Sequence, residues 1–271
     1  MSVPSPAELL EVASAAAVAA GAVLGEHLGR PAEVDHKNER TSLVTSVDLA
    51  AQAEIVRVIT GHFPQHSILG EEGRGGADDG ELTWLVDPLD GTSNYAHGVP
   101  VACTSVAVRD AAGVAAGAIY EPFREELFTA VRGGGAWLGA ERLQVSATAA
   151  PARALVCTGV QSDDPDAVAA FGRRIVELTG SCRAVRCLGS PALCLAYVAA
   201  GRIDAFLEAD STYAWDVGAG ALLITEAGGR IEDLGGGPIN LGSGIANVLA
   251  SNGRIHDELA AIVRAATSSV R

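Results

Sequence analysis

The sequence predicts a mixed α/β chain, α+β in its N-terminal half and alternating α/β in its C-terminal half. Three observations carry this reading. Residues 101–145 run with period two, as in Thr104-Ser-Val-Ala-Val108, Gly117-Ala-Ile-Tyr120 and Leu127-Phe-Thr-Ala-Val131, the pattern of antiparallel strands. Beyond residue 152, short apolar runs alternate with longer helical stretches. Apolar residues fill 48% of 271 positions, enough for a sizeable core in one large domain or two small ones.

Residues 6–29 read as an Ala-rich helix opened by Ser5-Pro6 and ended near Gly29-Arg30-Pro31, with Leu9, Leu10, Val12, Ala16 and Val23 as its apolar stripe. A polar stretch from Lys37 leads into a second helix, from Asp48 to about Gly61, with Asp48 as its N-cap. Residues 67–70 make a short strand closed by Glu71-Glu72-Gly73, and a Gly- and Asp-rich surface loop covers 74–81. Trp84 to Val86 is a buried strand that Pro88 breaks, and Asp90-Gly91-Thr92-Ser93 is a turn entering a helix. The period-two region follows as an antiparallel meander, punctuated by Asp110-Ala-Ala-Gly113 and Arg132-Gly-Gly-Gly135. Ala, Thr and Pro at 147–152 mark a subdomain boundary, dividing the chain into 1–146 and 147–271. Strands at 154–158, 184–187 and 204–208 then alternate with helices at 164–179, 190–201 and 216–227, and a last helix starts at His256.

A formal charge of −14 argues against a general nucleic-acid surface, which needs clustered basic residues. An anionic substrate would have to be drawn in by bound cations instead. The cysteines at 103, 157, 182, 187 and 194 lack zinc-type spacing and read as buried free thiols. The start Met1-Ser-Val-Pro-Ser-Pro has no basic segment, and the apolar run from Val12 to Leu24 reads as too short and too weakly apolar to span a bilayer. The expectation is a cytoplasmic protein without a membrane partner.

Chemistry concentrates in Trp84-Leu-Val-Asp87-Pro-Leu-Asp90-Gly-Thr92-Ser-Asn94. Asp87 and Asp90 bracket Pro88, which can turn both carboxylates to one side, with the Leu89 carbonyl between them as a further oxygen. Such a junction offers oxygens to a hard cation and free N–H groups to an anion. Two aspartates at this spacing are common at strand ends. The signal sharpens because Glu71-Glu72 and Asp216 stand at similar breaks, although an acid at a helix start is ordinarily a dipole-stabilising cap. His62 and His66 have Pro64 between them and do not make a helical metal pair. Trp84 and Trp215 read as core anchors.

At these positions the chain resembles the inositol monophosphatase family: Leu43-Val-Thr45-Ser-Val-Asp48, Gly70-Glu71-Glu72, the long Asp87 to Asn94 element, Gly189-Ser-Pro-Ala-Leu193 and Trp215-Asp216-Val-Gly-Ala-Gly220, in order over nearly the whole chain. The resemblance implies a layered αβαβα sugar-phosphatase fold, two to three Mg²⁺, a small phosphomonoester substrate, Li⁺ sensitivity and a homodimer. It assigns one Mg²⁺ to Glu71, Asp87 and the Leu89 carbonyl, a second to Asp87, Asp90 and Asp216, and a looser third to Glu71 with waters. Lys37 reads equally as a charge beside that third site or as an ordinary surface lysine. Thr92, oriented by Asp48, would polarise the attacking water, and Glu71 belongs to the same catalytic group. The phosphate would lie beside Asp90, Gly91, Thr92 and Ser93, and the substrate hydroxyls beside Gly189, Ser190, Pro191 and Glu208. Four ligating carboxylates and three Mg²⁺ would leave about two positive charges for a phosphate dianion.

The chain departs from the family pattern in places. The Glu208 to Asp216 spacing is one residue longer, so Asp210 competes with Glu208 for the hydroxyls. Ser93 stands where Thr is common, and Pro191 replaces a smaller residue. The expected reaction is Mg²⁺-dependent hydrolysis of a polyol or sugar phosphate, myo-inositol 1-phosphate foremost. Fructose 1,6-bisphosphate, histidinol phosphate and 3′-phosphoadenosine nucleotides are the alternative substrates. A regulatory, RNA-machinery-associated member of the fold is the alternative class.

Overall fold

A computed structural model describes residues 4–29, 34–36, 43–76, 81–242 and 244–268. Lys37 and much of the polar stretch around it lie outside the described residues. Helix α1 (Pro6–His27) is capped by Ser5, whose hydroxyl accepts from the Glu8 N–H while Glu8 bonds back to the Ser5 N–H. Strands β1 (Val34–His36) and β2 (Leu43–Thr45) pair antiparallel ahead of α2 (Ser46–His62). Strands β3 (Ser67–Gly70), β4 (Gly73–Gly76), β5 (Thr83–Asp90), β6 (Cys103–Asp110), β7 (Gly113–Glu121), β8 (Glu126–Val131), β9 (Gly135–Leu138) and β10 (Glu141–Arg142) form one eight-stranded sheet, ordered β10-β9-β8-β7-β6-β5-β3-β4. The short helix α3 (Thr92–Ala96) joins β5 to β6.

The second sheet contains β11 (Leu155–Gly159), β12 (Ala184–Arg186), β13 (Ala205–Glu208), β14 (Arg230–Glu232) and β15 (Val248–Ser251), in the order β12-β11-β13-β15-β14. Its helices are α4 (Pro165–Ser181), α5 (Pro191–Ala199), α6 (Ala214–Glu226) and α7 (His256–Ser268). Helices α1 and α2 cover one face of the large sheet, and α4 and α7 cover the outer face of the small one. Helices α5 and α6 lie between the two sheets and share a core with both. The result is five layers, αβαβα, each sheet burying both faces.

Several elements differ from the sequence reading. Strand β5 does not stop at Pro88 but runs to Asp90, through a bulge between Asp87 and Asp90 opposite Ser105 and Cys103. A bulge accepts the proline, which has no N–H to give the ladder. Asp48 is not an N-cap: α2 begins at Ser46, and Asp48 is fully buried in its first turn. Residues 74–76, read as the start of a loop, belong to β4 and pair with β3 as a hairpin arm. Strands β14 and β15 went unread because a long Gly-rich stretch precedes one and the other is only three residues. Helix α1, at 22 residues, is long and apolar enough by length and composition to cross a membrane, contrary to the sequence estimate; here Leu9, Val12, Ala16 and Leu24 are buried in the α1/α2 core. Four cysteines are buried free thiols, whereas Cys187 is exposed.

Candidate active site

The bulge in β5 decides the geometry. In a regular strand, residues three apart point to opposite faces. One extra residue resets that alternation, so Asp87 and Asp90 both line one cavity of about 380 Å³. The intervening turn is held by Asp87 Oδ1, which accepts from the Leu89 N–H at 2.9 Å, and by Thr104, whose hydroxyl donates to the Pro88 carbonyl at 3.0 Å. Gly91 follows with φ +96°, and a Cβ there would stand 2.8 Å from the Val101 carbonyl oxygen. Only glycine serves such a turn. Behind it, Asn94 donates to the carbonyls of Val101 (2.8 Å) and Leu188 (2.7 Å), tying α3 to the Gly189 segment.

Glu71 reaches the same cavity from the end of β3, where its N–H donates to Val86 in the neighbouring strand. Asp216 arrives on the first turn of α6, with Oδ2 accepting from the Tyr213 N–H at 2.6 Å. Ser105 on β6 donates to the Trp215 carbonyl at 3.1 Å and fixes that end of α6. Close approach of α6 depends on small residues: a Cβ on Gly218 would stand 2.8 Å from Leu85 Cδ1. Thr92 Oγ1 lies 3.3 Å from Asp48 Oδ1 and 3.0 Å from the Leu89 carbonyl; its single proton serves one of them at a time.

Glu71, Asp87, Leu89, Asp90, Gly91, Thr92, Ser93, Gly189, Pro191, Glu208 and Asp216 all line the cavity, and Asp48 stands behind Thr92. Ser190 does not face it: the side chain is buried and its hydroxyl donates to Asp90 Oδ2 at 2.5 Å. Both Glu208 and Asp210 line the cavity. The chain turns tightly after Glu208, with Asp210 at φ +67° and its N–H on Asn247 Oδ1 at 2.8 Å. Glu208 accepts from the Ser211 hydroxyl at 2.6 Å.

Sequence reasoning missed the far wall, made by Gln161, Ser162, Asp163 and Asp164 between β11 and α4 and by Tyr213. No residue type there distinguishes them from an ordinary polar loop. Trp215, read as a core anchor, lines the cavity and stacks on Tyr213 with centroids 4.9 Å apart. Trp84 is a core residue, fully buried and bonded to His66 through its indole N–H.

Burial, with repulsion from Glu71 and Asp90, pushes the Asp87 carboxyl well above the usual aspartate range, and burial with Asp90 and Glu71 does the same to Asp216. Asp90 is raised by burial to about 6, held there by donors from Ser190, Ala192 and Leu193. Burial raises Glu208 to about 7. No Lys, Arg or His is among the described residues that line the cavity. Nor do any three His, Cys, Asp or Glu among the described residues already close on one point as a finished coordination shell. The donor set itself, the buried carboxylates of Asp87, Asp90 and Asp216 with the half-buried Glu71 and a backbone carbonyl, suits a hard divalent ion such as Mg²⁺.

The Inositol monophosphatase family matches residues 5–268. The chain is 38% identical over 259 residues to the "Inositol-1-monophosphatase" of Synechocystis sp., covering 94% of this chain and 89% of that one. It is 36% identical over 258 residues to the "Nus factor SuhB" of Escherichia coli K12, covering 94% and 96%. Among solved structures, the Thermotoga maritima IMPase superposes with a TM-score of 0.87 at 34% identity, covering 97% of this chain and 99% of that one.

Proposed function

Because this chain belongs to the inositol monophosphatase family, we propose that it is a Mg²⁺-dependent phosphomonoesterase of small polyol or sugar phosphates, myo-inositol 1-phosphate foremost. One observation carries the reading. Asp87, Asp90, Glu71 and Asp216, drawn from three separate elements of both halves, face one cavity beside Thr92 and Asp48.

Glu71, Asp87 and the Leu89 carbonyl would hold one Mg²⁺, Asp87, Asp90 and Asp216 a second, and Glu71 a looser third. When bound, Mg²⁺ supplies positive charge to the phosphate and lowers the pKa of the attacking water. The chain does the rest by positioning. Thr92 Oγ1, donating to Asp48, turns a lone pair toward the water and can take its proton as its own passes to Asp48 Oδ1. The N–H groups of Gly91, Thr92 and Ser93, which have no hydrogen-bond partner among the described residues, would meet phosphate oxygens. Gly189, Pro191 and Glu208 would line the alcohol. Near neutral pH a Glu208 titrating at about 7 both donates to and accepts from hydroxyls, which suits a polyol. We also infer a cytoplasmic homodimer inhibited by Li⁺.

Phosphate release from a panel including inositol 1-phosphate, fructose 1,6-bisphosphate, histidinol phosphate and a 3′-phosphoadenosine nucleotide tests this, with and without Mg²⁺. Turnover of inositol 1-phosphate that requires Mg²⁺ and is lost in Asp90→Asn is the expected result. Preference for another ester replaces the substrate and leaves the mechanism; no turnover of any ester sinks the reading. The relatives named Nus factor favour a second, regulatory role, which Asp90→Asn protein would retain if it still bound a macromolecular partner without Mg²⁺.

A further inference from the structure

Helix α5 (Pro191–Ala199) has a serine at its N-cap that does not cap it. Ser at this position ordinarily accepts from the second or third N–H of its own helix. Here Pro191 has no N–H, and those of Ala192 and Leu193 go to Asp90 Oδ2, at 2.8 and 3.4 Å. The Ser190 hydroxyl, instead of competing for them, donates to the same oxygen at 2.5 Å, and the Cys103 thiol adds a longer contact at 3.6 Å. Asp90 comes from β5, so a carboxylate from the other half caps α5 in trans. The first-turn donors of α5 at Ala192 and Leu193 are thereby committed to Asp90. Asp90 Oδ1 has no hydrogen-bond partner among the described residues, and Asp90 lines the cavity.

We propose that Ser190 is a positioning residue: with the first turn of α5 it commits Asp90 Oδ2 to the protein and leaves Oδ1 as the single oxygen Asp90 offers a divalent cation. The inference rests on the metal-dependent reading above and adds a residue to it. Without the hydroxyl, Asp90 can rotate about its side-chain torsions and trade one oxygen for the other. The aim of Oδ1 then becomes one of several, and cation affinity falls although no ligand has been removed.

The test is Mn²⁺ binding, read from the electron paramagnetic resonance signal of the free ion, for wild type, Ser190→Ala and Ser190→Thr. Thermal melts without metal confirm that each variant is folded. Ser190→Ala is expected to weaken Mn²⁺ binding by about 10- to 100-fold. Ser190→Thr, which keeps the hydroxyl, should stay within about threefold. Should Ser190→Ala not fold, Ser190→Cys keeps the size with a weaker donor, and a loss in affinity is again expected. Wild-type affinity in Ser190→Ala, or in its Ser190→Cys substitute, overturns the inference alone. An equal loss in Ser190→Thr also overturns it, because packing and not the hydroxyl would then be responsible. Failure of wild type itself to bind Mn²⁺ overturns the metal-dependent reading and this inference with it.

Discussion

Thr92 illustrates how little of a catalytic role resides in one side chain. Its hydroxyl is ordinary until Asp48, from a helix 44 residues earlier, comes within 3.3 Å and gives its proton a destination. Thr92→Ala is therefore expected to lower kcat at saturating Mg²⁺ by at least about a hundredfold. Thr92→Ser should recover most of it, and steady-state kinetics on the best ester would show both. At the same scale, Glu208 and Asp210 compete in the sequence but not in burial. Glu208 is enclosed and bonded to Ser211, whereas Asp210 is exposed on a left-handed turn. That both acids stand near the substrate was legible; that Glu208 would be enclosed and Asp210 left exposed was not, because that depends on the backbone of the loop.

Elements place these residues through small side chains and one irregularity. Helix α6 brings Asp216 to the cavity only because Gly218 and Gly220 let it lie close to β5 and α5. A Cβ on Gly220 would stand 2.4 Å from Leu195 Cβ in α5, a contact neither helix can relieve without moving. Gly220→Ala should cost about 1–3 kcal/mol of stability through overpacking, visible in denaturant melts, and should raise the Mg²⁺ concentration needed for activity as Asp216 shifts. The small-residue run after Asp216 was legible as a helix start. The β5 bulge was not: Pro88 marked an interruption, yet a strand end and a bulge share that sign until a partner strand sets the register.

Across the whole molecule, the cavity gathers carboxyls from both halves that titrate higher folded than unfolded. Asp90 rises to about 6 and Glu208 to about 7, with Asp87 and Asp216 raised in the same direction. A group with a raised folded pKa binds more protons folded than unfolded, so its stabilisation is lost as pH rises through that pKa. Buried His66 and His256 are shifted below their usual 6.5 and act oppositely, but only below that pH. The melting temperature of the metal-free protein is therefore expected to fall between about pH 6.5 and 8. Saturating Mg²⁺ should raise it and flatten the slope, since a cation replaces the protons; differential scanning fluorimetry across pH would show either.

Much was determined by the sequence itself. The spacing of Asp87, Asp90, Gly91 and Thr92, the acids at Glu71 and Asp216, and the period-two meander are local patterns, carried by the chain whatever its surroundings. Tertiary structure alone decided which carboxylate oxygens are spent inside the protein and which face the cavity. Ser190 reads as a helix start and substrate neighbour, and only the packing of α5 against β5 turns its hydroxyl to Asp90. Periodicity assigns a face to each residue, but a hydrogen-bond partner 100 residues away is chosen by how the two halves meet.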